Sequence, residues 1–394
     1  MRILMIAPAD SPHSIRPVEW LIRAGHHVTF MSDCNPFGSG RERSQFVRAP
    51  RGLRGRGYLA KLAPQLVPIA DRIFVQWPLR RLCGRLKIDV VHVSCVGSYA
   101  NECAKANLHP LVLTVWGSDI NKRLAPNADP IRRAEAGEAL AQADLILVDS
   151  SDMFDKCTVL SGRALPIKLY RLGIDTTKFR PGYREEALVW RRKLSIPGAA
   201  VLVFLHNRAL GPFYGHSTLL HAFARARPRL KRNAVLVVNR FNAVAEYEHE
   251  MRDLATSLGV GESVRWMDAL PMDQLPAVYA GSDIVVNVPL RDAFPVTFIE
   301  AAACERPVIT CDLPAYRGTF AEKCFFLVEP GNVDQLTETM VSLADKSGRE
   351  WAGRVTEARR IVLEEYDEAK CAEELIAHYR RLLASTGAKS QTVA

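Results

Sequence analysis

The chain has 394 residues, of which 48% are hydrophobic and 24% charged, and it carries a net charge of +9. This balance is typical of a globular protein and excludes a disordered chain. At about 100–200 residues per domain, the length predicts two or three domains, and no apolar run reaches the ~18 residues of a membrane-spanning helix.

The first residues are predicted to form a strand and not a signal peptide, because Asp10 soon ends their apolar run. Nine Cys residues are scattered singly, without a C-x-x-C pair. This pattern argues against a disulfide framework or a zinc site and indicates a reducing, cytoplasmic location.

The positive charge is confined to the first half of the chain. Residues 1–180 hold 26 Lys and Arg against 16 Asp and Glu, whereas residues 181–394 hold 26 against 27. Six arginines fall within residues 41–56, a Gly-rich stretch predicted to be a loop. Such a field favours an anionic partner, for example a membrane surface, although a solvated loop explains it equally. These arginines are not accompanied by a basic helix or strand that also carries aromatic side chains, so a nucleic acid partner is not expected.

Short apolar runs alternate with amphipathic stretches in both halves, which predicts β-α-β units and parallel sheets. The predicted strands are residues 2–7, 27–31, 90–93, 111–115, 145–148 and 168–171, then 199–205, 234–239, 264–267, 284–288, 307–310 and 325–328. The fold class is therefore α/β, with doubly wound domains at 1–180 and 181–365. Ligands are expected in the cleft between them. Residues 366–394 are predicted to form a helix that packs back on the first domain and ends in a frayed tail.

The segment 287–307 carries the clearest chemical pattern, because it leaves a strand and enters a helix. Asp292 and Glu300 are eight residues apart, and Pro295 lies where the loop gives way to the helix. The unpaired first-turn amides of a helix favour an anion, so we expect a phosphate at 295–298. Asp292 and Glu300 are then placed to accept hydrogen bonds from sugar hydroxyls. The alternative is that Asp292 caps the helix and Glu300 lies on its surface.

This segment resembles the E-x7-E signature of retaining, group 1 glycosyltransferases with the GT-B fold. The matching residues are Pro289, Asp292, Phe294, Pro295, Glu300, Ala301, Ala303, Pro307, Val308 and Ile309. Further matches keep the family's order along the chain: Thr114–Asp119, Leu172–Asp175 with Phe179 and Pro181, and Gly281–Ile284. The resemblance covers nearly the whole chain and implies two Rossmann-like domains that face a central cleft.

The resemblance implies the retaining transfer of a sugar from a nucleotide diphosphate, with a UDP-sugar as the expected donor. It assigns donor-sugar hydroxyls to Asp292, the nucleotide ribose to Glu300 and neutralisation of the diphosphate to Arg208. The donor-binding backbone would come from Phe294, Pro295, Val296 and Thr297. No cofactor is expected and no metal, since no D-x-D motif lies at a strand end.

Two departures from the family pattern affect the donor site. The first acid is the shorter Asp292, and Tyr214 lies where the family often has the Lys of its R-x5-K pair. We expect Tyr214 to donate one hydrogen bond to phosphate. The lost charge has three candidate replacements, His216, Arg240 and Arg265. Trp266 is expected to present its backbone to the base, or to be plain core.

The acceptor site is predicted in the first domain, from His13, Arg16, Trp116 and Asp119. Trp116 replaces a family His, so it either stacks on a sugar face or forms a buried wall. The alternative for the first helix is that Arg16 is an ordinary surface residue.

The acceptor itself is not identified by the sequence, and a small molecule, a glycan or a lipid-linked molecule would each fit. A location at the inner membrane face is consistent with the basic first half. Two rival functions follow from the departures. One is a transferase of the same fold that uses a different pyrophosphate-activated sugar, and the other is a non-catalytic nucleotide-sugar-binding protein.

Overall fold

The computed structural model describes residues 1–8, 12–32, 44–48, 72–198, 200–345 and 349–391. Contacts divide the chain into unit 1, Met1–Leu172 with Glu368–Ala394, and unit 2, Gly173–Asp367. The division falls ahead of the Pro181–Gly182 break that the sequence suggested, and the last helix belongs to unit 1. Most of the basic stretch at 41–56 lies outside the described residues.

Unit 1 alternates strands and helices. Its strands are β1 (Arg2–Ile6), β2 (His27–Ser32), β3 (Ser44–Arg48), β4 (Val90–Ser94), β5 (Leu111–Thr114), β6 (Leu145–Val148) and β7 (Ile167–Leu169). Its helices are α1 (Pro12–Arg23), α2 (Trp77–Leu86), α3 (Ser98–Lys105), α4 (Ser118–Asn121), α5 (Pro130–Gln142) and α6 (Ser151–Ser161), and a π-helical turn, Arg72–Gln76, leads into α2.

The described strands of unit 1 form one parallel sheet in the order β3-β2-β1-β4-β5-β6-β7. Leu4 pairs with Thr29 on one side and with Val91 on the other, so β1 is central. Its residues Ile3 to Ile6 are fully buried, as expected of a strand covered on both faces. The predicted strands are confirmed to within a few residues, and β3 is an edge strand that the sequence did not predict.

Unit 2 repeats this plan. Its strands are β8 (Leu202–His206), β9 (Ala234–Asn239), β10 (Val264–Met267), β11 (Ile284–Asn287), β12 (Val308–Cys311) and β13 (Phe326–Val328). Its helices are α7 (Arg184–Lys193), α8 (His216–Ala226), α9 (Ala245–Ser257), α10 (Leu275–Gly281), α11 (Val296–Ala303), α12 (Phe320–Cys324), α13 (Val333–Asp345) and α14 (Arg349–Glu365).

The described strands of unit 2 form a second parallel sheet in the order β10-β9-β8-β11-β12-β13. The strand order reverses between β8 and β11, as it does between β1 and β4 in unit 1. Ligands of doubly wound sheets bind outside the carboxyl ends of the strands at such a reversal. In unit 2 these ends are His206 and Asn287.

The last helix, α15 (Glu368–Gln391), returns to unit 1 and packs against α1. The Trp20 indole N–H donates to Glu368 Oε2 at 2.9 Å, while Leu375 and Tyr379 join the buried core of the unit. Asp367 directly precedes the helix, close to the start that the sequence suggested. Among the described helices, none is long and apolar enough to cross a membrane.

A buried histidine ties α15 to the sheet. The ring of His92 on β4 contacts the Tyr379 hydroxyl at 2.5 Å and Thr114 Oγ1 at 2.6 Å. Burial lowers the pKa of His92 from its ordinary 6.5 to about 3, so the ring is neutral. A neutral imidazole donates through one nitrogen and accepts through the other, and these two hydroxyls serve both.

We expect Tyr379→Phe to lower the free energy of unfolding by about 1–2 kcal/mol, because it leaves one His92 nitrogen buried without a partner. Tyr170→Phe is the matched control, since the Tyr170 hydroxyl lies in the same core and has no hydrogen-bond partner among the described residues. Urea unfolding should show the first variant destabilised and the second unchanged or more stable. Equal effects would contradict a specific role for the His92 contact.

Candidate functional site

Two loops of unit 2 leave neighbouring strand ends, residues 207–215 after β8 and 288–295 after β11. The Leu290 amide donates to the Phe213 carbonyl at 3.1 Å. Gly215 has a φ of +73°, and a Cβ there would lie 1.9 Å from the Val288 carbonyl oxygen. Only glycine permits this approach, so the two loops are held against each other by backbone contacts.

The Arg208 guanidinium and the Asp292 carboxylate form an ion pair across these loops, with 3.0 Å between Nη2 and Oδ1. Both side chains are about nine-tenths buried. Asp292 also accepts from the Tyr316 hydroxyl at 2.9 Å, and the guanidinium carbon lies 4.5 Å from the Tyr214 ring centre. Burial opposes the charged form of Arg208, but Asp292 overcomes this effect and raises the pKa of the guanidinium. The first two predicted catalytic residues are therefore in direct contact.

Glu300, the third, ends a buried polar chain. It accepts from the Tyr279 hydroxyl at 2.9 Å, and that oxygen accepts from Asn207 Nδ2 at 3.0 Å. Asn239 Nδ2 donates to Asn207 Oδ1 at 2.7 Å, and the Phe241 amide donates to Asn239 at 2.9 Å. Glu300 is only 3% exposed, so the interpretation that places it on the helix surface is wrong. The chain fixes the position of one carboxylate oxygen.

The helix that carries Glu300 is α11, and Pro295 occupies its N-cap without a side-chain hydrogen bond. The Phe294 ring packs against Phe298, Phe320 and Tyr366, with ring centres 5.5–5.9 Å apart. Phe294, Pro295 and Val296 are buried, so their side chains belong to the interior of the unit. The Thr297 hydroxyl in the first turn is buried and has no hydrogen-bond partner among the described residues.

Asn287, the last residue of β11, was not among the predicted site residues. It is 1% exposed, and neither atom of its amide group has a hydrogen-bond partner in the described structure. An unpaired buried polar group costs about 1–3 kcal/mol, so this amide requires an explanation. Tyr279 and Tyr316 were also missed. The sequence did hold a signal for the asparagines: Asn207, Asn239 and Asn287 each end or follow an apolar strand run.

None of the three candidate replacements for the missing Lys is placed as an available cation. Arg240 is paired with Glu248 at 2.8 Å and with Asp268 at 2.5 Å. Arg265 donates to the backbone carbonyls of Leu194 and Glu262. Burial lowers the pKa of His216 to about 2, which leaves the ring neutral.

Trp266 lies within the edge strand β10, with the Arg252 guanidinium carbon 4.7 Å from its ring centre. One face of the indole is therefore covered by α9. That the backbone of Trp266 contacts the nucleotide base stays a prediction.

Unit 1 places Trp116 and Asp119 just beyond the carboxyl end of β5. Asp119 is buried and accepts from the amides of Val96 at 2.7 Å and of Trp116 and Ile120 at 3.1 Å each. Although these amides favour the carboxylate, burial dominates and raises the pKa of Asp119. Asp119 thus holds together the loops after β4 and β5, and this occupies both of its oxygens.

The two remaining predicted acceptor residues lie on α1. Arg16 is 5% exposed, so the alternative that made it a surface residue is wrong. His13 lies in the first turn of the helix, and its side chain is outside the described structure. Across the described residues, no group of three or more His, Cys, Asp or Glu side chains is arranged to hold a metal ion.

Comparisons with known proteins give a family model for each half of the chain. The family model "Glycosyl transferases group 1" matches residues 189–359, and "Glycosyl transferase 4-like" matches residues 2–150. HepE from Anabaena, solved in complex with UDP and glucose, has a TM-score of 0.76 at 17% identity, covering 97% of this chain and all of that one. The fold is thus GT-B, and each half of the chain matches a glycosyltransferase family model, the second half that of group 1.

Two curated relatives show how far the sequence similarity extends. D-inositol 3-phosphate glycosyltransferase of Corynebacterium efficiens is 30% identical over 176 residues, which are 44% of this chain and 41% of that protein. This chain therefore matches less than half the length of that relative. GDP-mannose-dependent alpha-(1-6)-phosphatidylinositol monomannoside mannosyltransferase of Mycobacterium tuberculosis is 24% identical, covering 76% of this chain and 80% of that one.

Two buried histidines of unit 2, His206 and His216, predict that the folded protein loses stability in acid. The ring centres of His206 and His216 lie 4.6 Å apart, and their Nδ1 atoms face the carbonyls of Val286 and Gly211. Burial lowers the pKa of His206 to about 4 and that of His216 to about 2. The unfolded chain takes up these protons below the ordinary pKa of 6.5, whereas the folded protein does not. Stability is therefore complete above this value and declines as the pH falls through it.

We expect unit 2 to lose about 2 kcal/mol per histidine between about pH 7 and pH 5. The double variant His206→Gln, His216→Gln should show a shallower dependence of unfolding free energy on pH. His249→Gln, on the exposed side of α9, is the control and should leave the dependence unchanged. Urea unfolding at both pH values tests this, and identical slopes in all three proteins would refute it.

Proposed function

We propose that this protein transfers a sugar from a nucleotide diphosphate donor to an acceptor, with retention of configuration and without a metal ion. The Arg208–Asp292 ion pair carries the proposal. It joins the loops 207–215 and 288–295, and the second of these leads into the first turn of α11. It brings a cation for the departing diphosphate within 3.0 Å of a carboxylate suited to sugar hydroxyls. The matches of both halves to glycosyltransferase family models support the reaction class.

The donor diphosphate is proposed to lie at the first turn of α11. The positive end of the α11 helix dipole and the Arg208 guanidinium both favour negative charge. Because charge accumulates on the diphosphate as its bond to the sugar breaks, their stabilisation is greatest in the transition state. In this proposal the leaving phosphate helps to take the proton of the acceptor hydroxyl. No side chain acts as a nucleophile.

Glu300 is proposed to hold the nucleotide ribose. The Tyr279 hydroxyl occupies Oε2, and this contact fixes the carboxylate before a ligand arrives. A pre-positioned acceptor suits a vicinal diol, since no side-chain entropy is lost on binding. UDP is the expected nucleotide, and GDP is the alternative, because the mannosyltransferase relative is GDP-mannose-dependent.

The acceptor is proposed to bind in unit 1, near Trp116 and Arg16. Its class stays open among small molecules, glycans and lipid-linked molecules. The basic first half favours an acceptor presented at an anionic membrane surface, on the cytoplasmic side. We expect no nucleic acid partner and no bound cofactor.

Glu300→Gln should weaken nucleotide diphosphate binding by about 1–3 kcal/mol, roughly 5- to 150-fold, because a charged hydrogen bond to ribose is lost. Gln can still accept from Tyr279, so the fold should survive. Calorimetry with UDP, GDP and ADP measures the change, and Glu305→Gln, just beyond the same helix, is the control.

Unchanged affinity of the Gln variant for every nucleotide would exclude the ribose role. If the unaltered protein bound none of the three nucleotides, the rival with another pyrophosphate-activated sugar would be favoured. Binding without transfer to any acceptor would favour the non-catalytic rival.

Asp292→Asn should abolish most sugar transfer while nucleotide binding survives, because Asn retains its shape and the Tyr316 contact but loses the charge.

Arg208→Gln should lower kcat more than it raises the donor KM, since the contact of Arg208 with the diphosphate strengthens in the transition state. A double-mutant cycle of Asp292→Asn and Arg208→Gln distinguishes the interaction energy of the ion pair from the contacts that each side chain makes with the ligand. Product configuration by NMR and activity in the presence of EDTA test retention and metal independence.

An Asn variant with normal transfer would reduce Asp292 to a structural partner of Arg208. The substitution Asp292→Glu provides a further check, because the longer side chain should change the ranking of donor sugars that differ at one hydroxyl.

A further inference from the structure

The segment from Arg72 to Lys87 in unit 1 has two different faces. Val75 and Leu79 are buried and anchor it to the unit. Ile73, Phe74 and Trp77 point outward and are 54%, 62% and 58% exposed. Three large apolar side chains within five residues are thus left in solvent, although the segment is fixed by its other face.

Exposed apolar residues elsewhere in the described part of unit 1 are dispersed. Ile131 lies on α5, Phe154 and Val159 lie on different turns of α6, and Leu169 ends β7. Single exposed apolar residues are normal on a protein surface, whereas a contiguous group marks an interaction site. The group on this segment is therefore unusual within its own unit.

The same segment is strongly basic. It contains Arg72, Arg80, Arg81, Arg85 and Lys87 and no Asp or Glu. The Arg81 guanidinium carbon lies 5.2 Å from the centre of the Trp77 ring, so cation and aromatic share one face. Arg80 donates to the Ala106 carbonyl, which fixes the base of the segment to the turn after α3.

Cations beside outward aromatic side chains match the interface of an anionic lipid bilayer. Trp and Phe place an apolar body in the head-group region, and each nearby cation adds about 1 kcal/mol of attraction to acidic lipids. A protein partner of complementary shape would need acidic groups opposite five cations. The bilayer supplies both the apolar layer and the negative charge without a specific counterpart.

We propose that the face formed by Ile73, Phe74, Trp77 and Arg81 docks this protein onto anionic lipid bilayers. The apolar side chains enter the head-group region, and the arginines lie at the level of the phosphates. The proposal concerns unit 1 alone and holds whether or not the transfer reaction proposed above is correct. If both are correct, the enzyme works at the surface where a lipid-linked acceptor is available.

Vesicle co-sedimentation of the full chain tests this face. We expect binding to phosphatidylcholine vesicles that contain phosphatidylglycerol, no binding to phosphatidylcholine alone, and at least tenfold weaker binding at about 0.5 M salt than at about 0.05 M. The double variant Phe74→Ser, Trp77→Ser should bind at least about tenfold more weakly. Ile131→Ser, Val159→Ser is the matched control and should bind normally.

The charge contribution is tested with Arg81→Gln, Arg85→Gln, for which we expect roughly 10- to 30-fold weaker binding. Arg133→Gln, Arg163→Gln removes two exposed arginines elsewhere in the unit and should have a much smaller effect. The fluorescence emission of Trp77 should shift to shorter wavelength when anionic vesicles are added. The variant Trp77→Phe lacks this emission and therefore identifies it.

Three results would overturn the proposal. The first is no binding to anionic vesicles, and the second is equal loss of binding in both apolar variants. The third is a protein dimer that the Phe74→Ser, Trp77→Ser variant abolishes, because the face would then bind a second copy of the chain. Calorimetry with UDP and GDP on the same variants keeps this outcome separate from failure of the proposed reaction.

Discussion

The chemistry of unit 2 depends on two strand ends that lie side by side although Arg208 and Asp292 are 84 residues apart in the chain. The sheet reverses its strand order between β8 and β11, so the loops after both strands emerge at one edge. Gly215 then brings the backbone of one loop against the other. If the loops after β8 and β11 did not lie side by side, neither Arg208 nor Asp292 would be buried with a partner of opposite charge.

Burial makes that pairing obligatory. A charge nine-tenths removed from water is strongly unfavourable unless a counter-charge and hydrogen bonds replace the lost hydration. Arg208 has Asp292 and the Tyr214 ring, and Asp292 also has Tyr316. Such a pair is sensitive to truncation of either partner, while its charges stay in place for a charged ligand. The geometry is thereby fixed before the proposed donor binds, which would reduce the entropy lost in the proposed reaction.

Units 1 and 2 share a topology and use it differently. At the strand reversal of unit 2, the loops present an ion pair and a buried carboxylate. In unit 1, Asp119 accepts from backbone amides and joins the loops after the neighbouring strands β4 and β5. Unit 1 is also completed by the last helix of the chain, whose Tyr379 reaches the buried His92 of β4. The first unit is therefore stabilised by residues far along the sequence.

The described strands other than β3, the two-unit α/β plan and the segment from Asp292 to Glu300 could be predicted from the sequence alone. Apolar periodicity and the order of the family's motifs are local features of the chain, so they can be read without coordinates. The folded structure was needed to show that Arg208 pairs with Asp292, that Tyr279 and Tyr316 hold the carboxylates, and that Arg240 and Arg265 are occupied elsewhere. It also showed that Ile73, Phe74 and Trp77 face outward. Burial and partnership depend on which distant segments pack together, and no local pattern specifies them.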